Sequence, residues 1–417
     1  MNETRKCWIA NSTLFQFSFF DTCLLRVLCA LCGEFHLATK DIRLRLSQRV
    51  GWIGVDVGTH TVKLAQAVRD GADVRLHRAA VIQRPAAWSG DDALALEQPI
   101  TSYPEIRAAL ECGGFTGRDA ICSLPMNVCQ LRVLNVPPGS DRERRTMIAD
   151  ELAEEWAELR QPMEFDFWEL ESGRAEKGTE GFNVSVLATS RHWVDQLWRD
   201  CRQNGLDCWS IDGAPLTMAR AVGLIGGMAG GRRVLAVDWG FSNATLCVAG
   251  DGRPLYGRRI HACAFGLVLE AIMRVFDVTL DEAQHLAETQ GLAAPGAGSG
   301  EQPVASDTRH PTPDTNSCQA AITEAAEPPI QELMRQIRRT LEFMEAQRRQ
   351  QQPATVWLLG GGASMRNVSP YLEQALGLPV QIWKLAPEDT PIPCAAGYRS
   401  AVFGSAVALS AAAWRAA

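Results

Sequence analysis

The chain has 417 residues, room for two or three domains, and its 46 % apolar and 21 % charged content excludes a largely disordered polymer. Forty-eight acidic against 41 basic residues give a net charge of -7. There is thus no general attraction for a phosphate backbone or an anionic membrane, and no nucleic-acid partner is expected.

Residues 1–49 differ in character from the rest. From Leu14 to Phe35 the chain is apolar but broken by Asp21 and Arg26; a charge near the centre of a span costs about 2.5 to 3.5 kcal/mol, so neither a membrane span nor a secretory signal is expected. This stretch is read as an extension outside the fold, disordered or the product of a mistaken start. The 13 cysteines, among them Cys112, Cys122, Cys247 and Cys263, show no metal-ligand spacing. The Cys29–Cys32 pair lacks the second pair a zinc site needs. Buried, reduced thiols in a cytoplasmic protein are the expectation.

The informative region starts at Gly51. Trp52 to Val57 predicts a strand ending in an acid and a glycine. A second strand from Thr59 to Leu64 and a hairpin signal at Asp70-Gly71 follow. The same order returns at Arg233 to Val237, Asp238-Trp239-Gly240, Asn243 to Val248 and Asp251-Gly252. Two copies of one hairpin unit predict a protein of two related halves. Between them, strands at Ile121–Pro125, Gln130–Val136, Phe165–Leu170 and Asn183–Thr189, with helices at Arg142–Glu158 and Trp193–Asn204, predict an inserted α+β subdomain with its own sheet. Residues 291–328, rich in Gly, Pro, Ala, Ser and Thr, predict a flexible insertion. A charged helix follows from Ile330 to Gln350, with Leu333, Ile337, Leu341 and Met344 on one face. Thr355 to Leu359 predicts a buried strand running into Gly360-Gly361-Gly362-Ala363 and a helix from about Asn367 to Leu376. Ala401 to Ala413 predicts a small-residue helix.

Glycine turns let backbone N–H groups approach a phosphate closely. Here two candidate turns each follow a carboxylate and carry hydroxyls: Asp56, Gly58, Thr59 and Thr61 in the first, Asp238, Gly240, Ser242, Asn243 and Thr245 in the second. Two carboxylates beside a triphosphate require a divalent cation between them, so Asp56 and Asp238 predict Mg²⁺, held through water. Lys63 adds a point charge toward a phosphate. Gly360, Gly361, Gly362 and Ala363 offer a flat backbone surface for a purine and ribose.

These residues resemble a known superfamily. Asp56 to Lys63 looks like the first phosphate motif of the actin, Hsp70 and sugar-kinase ATPases, Asp238 to Thr245 like the second, and Gly360 to Ala363 like the adenosine motif. Within it the chain resembles the PilM family of type IV pilus assembly proteins, relatives of the division protein FtsA. The stretch Ile211 to Ala221 and the helix start Asp281-Glu282-Ala283 carry this further, and the resemblance covers about residues 51 to 410. It implies an α/β, actin-like (ribonuclease H-like) duplicated fold around a nucleotide cleft, with an FtsA/PilM-type α+β insert. The expected division is an extension at 1–49, the first half of domain I at 50–116, the insert at 117–207 and domain II at 208–290. The flexible insertion at 291–328, domain II again at 329–390 and a C-terminal helix returning to domain I at 391–417 complete it.

What the resemblance implies for function is a cytoplasmic, ATP- and Mg²⁺-binding scaffold. It would bind the N-terminal peptide of a PilN-like inner-membrane protein and, through it, connect to a PilO-like protein and the pilus motor ATPases. Slow hydrolysis at most is expected, because Trp239 and Phe241 are bulky for a phosphate turn. Alternatives are an FtsA-like division protein, against which the short C-terminal tail speaks, and a small-molecule kinase using Asp212 as base.

Overall fold

The computed structural model describes residues 48–71, 73–84, 104–158, 162–174, 182–294, 315–346, 352–385 and 400–416. The first half opens with β1 (Gln48–Val50), β2 (Ile53–Val57), β3 (Thr61–Asp70) and β4 (Asp73–Gln83). The helix α1 (Pro104–Cys112) then leads to β5 (Asp119–Leu124). Next come β6 (Cys129–Val136), α2 (Asp141–Glu158), β7 (Met163–Arg174) and β8 (Phe182–Ser190). They are followed by α3 (Arg191–Gln203), β9 (Asp207–Gly213) and α4 (Ala214–Leu224).

The second half has β10 (Val234–Trp239), β11 (Ala244–Gly250), β12 (Arg253–Ile260), α5 (Phe265–Phe276), α6 (Leu280–Thr289) and α7 (Thr315–Ala346). It closes with β13 (Val356–Leu359), a single 3₁₀ turn at Gly361–Ser364, α8 (Val368–Leu376), β14 (Val380–Ile382), a second 3₁₀ turn at Ser400–Phe403 and α9 (Gly404–Ala416).

The repeated hairpins seed two sheets of one topology. In the first, strands lie in the order β4-β3-β2-β5-β9; in the second, β12-β11-β10-β13-β14. In both, the two outer pairs on the hairpin side are antiparallel and the next two pairs are parallel. The chain therefore has the α/β, duplicated architecture expected of an actin-like fold. The central parallel strands are buried on both faces, as helix-covered parallel strands must be: every residue of β5 after Asp119 is buried, and so are Val356, Leu358 and Leu359 of β13.

The helices that follow each half cross over. The α4 residues Met218, Ala219, Ala221 and Val222 pack with Ala236, Cys247 and Ala249 of the second sheet, and Ala406, Val407 and Ala408 of α9 share that cluster with Ala65 and Ala67 of the first. Small residues make the approach possible: a Cβ on Gly54 would lie 1.9 Å from the Ala406 carbonyl oxygen. The Ser410 hydroxyl accepts from the Ala67 N–H at 2.9 Å.

Strand pairing crosses the expected boundaries. Pairing starts at Gln48, opposite Asp70, two residues inside the expected extension; the rest of that extension, with Cys29 and Cys32, lies outside the described residues. The strand expected to open the insert, β5, pairs in parallel with β2, and α3 packs Leu197 and Cys201 into the same core. The separate sheet of the insert is the order β6-β8-β7, roofed by Ile148 and Leu152 of α2. The expected start of domain II at 208 also falls inside the first sheet, since β9 pairs with β5.

The insertion expected at 291–328 is helix from Thr315 onward, running through Pro328 and Pro329. Composition hid a four-residue period, Cys318, Ile322, Ala326 and Ile330, which buries against the second core. That packing outweighs the backbone hydrogen bonds the prolines remove. The capping box of Thr279 and Glu282 starts α6 where the Asp281-Glu282-Ala283 motif led one to expect a helix.

Candidate nucleotide cleft

Both candidate turns are two-residue connections closed by the same bond. Gly58 N–H donates to the Thr61 carbonyl at 2.9 Å, and Gly240 N–H to the Asn243 carbonyl at 3.0 Å. A side chain at either glycine would meet that carbonyl at 2.8 or 3.0 Å, the steric reason for the residue type. The register places Lys63 opposite Asp56 and Thr245 opposite Asp238, so the two hairpins present equivalent positions to one space.

The turns face and touch each other. Thr59 Oγ1 donates to Ser242 Oγ at 2.9 Å, and the His60 ring stacks on Phe241 with centroids 4.0 Å apart. The first position of one turn meets the second position of the other in both contacts, a two-fold relation that follows from the duplication. His261 Nδ1 lies 3.0 Å from the Ser242 carbonyl. The start of α5 supports the second turn, with Phe265 and Gly266 N–H groups on the Gly240 and Phe241 carbonyls at 2.9 and 2.8 Å.

Behind the turns lies a charge cluster. Lys63 Nζ is 3.4 Å from Asp56 Oδ2, with side chains only 13 % and 14 % exposed, and Ser123 donates to Asp56 Oδ1 at 3.0 Å. Burial works to lower the Lys63 pKa, but attraction to Asp56 and Asp238 outweighs it and holds the ammonium above its usual value. Burial, with repulsion from Asp56, pushes the Asp238 carboxyl above its usual range, and Lys63 opposes it. Two carboxylates against one ammonium leave excess negative charge in a desolvated place. That donor set suits a divalent cation arriving with phosphates, which Asp56 and Asp238 would hold.

The glycine run divides its work. A Cβ on Gly360 would lie 2.2 Å from Asp238 Oδ1, and one on Gly362 2.3 Å from the Trp239 ring, whereas Gly361 has nothing nearer than Phe265 at 3.8 Å. Gly361 alone of the three thus offers open backbone surface. Ala363 is fully buried in the second core. Trp239, expected to narrow the cleft, points away from it: it is fully buried and donates through Nε1 to the Cys263 carbonyl at 2.7 Å. Phe241 does occupy the gap, against His60. Thr61 enters through its carbonyl, and Asn243 Oδ1 receives a long 3.5 Å contact from Thr245 Oγ1.

Sequence reading missed His60, Ser123 and Arg84. Ser123 was recoverable only from strand pairing, which sets it beside Asp56; Arg84, buried at the end of β4, donates to the Gly58 carbonyl at 3.0 Å. Asp212, the kinase alternative's base, is fully buried and ion-paired to Arg220.

No protein-family model matches the chain. No curated protein matches it. Solved structures do. A PilM–PilN type IV pilus biogenesis complex is 22 % identical, with 87 % of this chain and 98 % of that one covered at a TM-score of 0.62. The ethanolamine utilization protein EutJ from Carboxydothermus hydrogenoformans is 14 % identical, covering 87 % and 89 % at 0.47. A non-polymerising MamK mutant bound to AMPPNP is 11 % identical, covering 88 % and 99 % at 0.41. The chain has the fold of the PilM–PilN structure over nearly the whole of that chain.

Proposed function

We propose that this protein is a cytoplasmic, magnesium-nucleotide-binding scaffold of type IV pilus assembly, which docks the N-terminal peptide of a PilN-like inner-membrane protein. One observation carries the nucleotide half: Asp56, Lys63 and Asp238 share one buried space behind two glycine turns in contact. The pilus half is supported by the likeness in fold to a protein solved as a complex with PilN.

The protein's own groups divide the task. The turn backbones would hold phosphates, Lys63 would neutralise one of them, and Asp56 and Asp238 would hold the cation. The backbone of Gly361 supports the nucleoside. The bound Mg²⁺ supplies the positive charge that lets both carboxylates stay near a triphosphate. Thr59 and Ser242, and His60 and Phe241, would have to separate to admit a nucleotide between the turns, and the relative position of the halves would then differ between free and bound protein. A partner that contacts both halves, or the insert held to the second half through Trp168 Nε1 on the Pro254 carbonyl at 3.1 Å, then has different affinities for the two states. Among the described residues no helix is long and apolar enough to cross a membrane.

The test is calorimetric titration with magnesium ATP, of the wild type and of a protein with Asp56→Ala and Asp238→Ala. Micromolar binding lost in the double variant is expected, and no binding by folded wild type overturns the nucleotide reading. A synthetic PilN N-terminal peptide titrated with and without nucleotide tests the partner. Equal affinity in both conditions overturns the linkage, and no binding overturns the docking.

A further inference from the structure

Away from the cleft, three cysteines from three elements meet in the first core: Cys122 of β5, Cys201 of α3 and Cys208 of β9. The Cys122 and Cys201 sulfurs are 3.2 Å apart, those of Cys208 and Cys122 3.8 Å, and all three lie within 4.8 Å of one another. The first two are fully buried and the third nearly so. Nothing in the nucleotide reading uses them. Sequence spacing concealed the group, since only tertiary pairing brings Cys122 to a helix and strand about 80 residues away.

We propose that these sulfurs form a three-coordinate site for a soft monovalent cation, copper(I). Thiolate–metal bonds of about 2.3 Å around a common centre set sulfurs roughly 4 Å apart, so the observed triangle closes on an ion with sub-ångström movement. The donor set decides the class of metal. Thiolates select soft ions, whereas structural zinc takes four ligands, and no fourth His, Cys, Asp or Glu joins the group among the described residues.

The three cysteines belong to the same apolar core as Leu124, Leu197, Leu206 and Ile211. The turn joining Cys201 to Cys208 borders open space: Asn204, Gly205 and Leu206 line a cavity of about 360 Å³ with Arg107 and Arg118.

The experiment uses the full chain with Cys29→Ser and Cys32→Ser, reduced and anaerobic, titrated with copper(I) against a chromophoric copper(I) chelator. The expected result is one equivalent of copper withdrawn per chain, with a shell of three sulfurs in X-ray absorption. Cys201→Ser or Cys208→Ser should weaken binding at least 100-fold, with unfolding midpoints followed to confirm folding, and Cys112→Ser, at an exposed thiol, should change nothing. Failure of the parent chain to compete, or binding that survives Cys208→Ser, overturns the site. Tighter binding of zinc(II) in a parallel titration overturns the assignment of the metal.

Discussion

Asp238 is held by the fold in a place that does not suit it alone. Its pKa is raised chiefly by burial, so the folded state binds its proton more tightly than the unfolded chain. Its contribution to stability is full below the unfolded carboxyl pKa and is lost as pH rises through the folded value. Asp238→Asn should therefore raise the unfolding midpoint of the nucleotide-free protein by a few degrees at pH 7.5 and by nothing near pH 3, while abolishing magnesium-ATP binding. Thermal scans at the two pH values check this. The His60–Phe241 stack is the matching residue-scale obstacle to entry. Aromatic pairs contribute about 0.5 to 1.5 kcal/mol, so Phe241→Ala should tighten magnesium ATP roughly 2- to 10-fold in the same titration.

At the scale of elements, α9 and the sheet of the insert make separable claims. Helix α9 lies against β2 so closely that Gly54→Ala would drive a methyl into the Ala406 carbonyl. Overpacking against backbone costs about 3 kcal/mol or more; the variant should unfold several degrees lower and expose α9 to limited proteolysis. In β7, burial raises the Asp166 pKa to about 6 despite its Arg145 partner at 2.9 Å. The same sign holds: stability from this group is present below about pH 4 and lost as pH rises through 6. At about 1.4 kcal/mol per pKa unit the loss is about 2 to 3 kcal/mol. Asp166→Asn should remove that slope in denaturant titrations between pH 4 and 7.

At the scale of the molecule, the halves are joined by the touching turns on one side and by the exchanged helices α4 and α9 on the other. The turns meet through the Thr59–Ser242 hydrogen bond, the His60–Phe241 ring pair and the Lys63–Asp238 attraction, the helices through an extended apolar cluster, so opening is expected on the turn side. A ligand that bridges the turns stabilises the whole chain by mass action, about 2.7 kcal/mol at 100-fold excess over its dissociation constant. Magnesium ATP should thus raise the unfolding midpoint by roughly 3 to 4 °C, and the Asp56→Ala, Asp238→Ala protein should show no shift.

The duplicated hairpins, the two acid-glycine turns and the strand before Gly360 were legible in the sequence because each is local: alternation, β-branching and glycine placement fix a hairpin within about 20 residues. Tertiary structure alone decided where β5 and β9 belong, since a buried parallel strand reads the same whichever sheet receives it. It also decided that 315–328 is helix, because an apolar face has meaning only once a core exists to receive it. The side chains that complete the cleft and the thiol group were hidden for the same reason. Ser123 beside Asp56, His60 on Phe241 and Cys122 against Cys201 are contacts between segments 67, 181 and 79 residues apart, and a pattern read along the chain carries no term for the packing that brings such segments together.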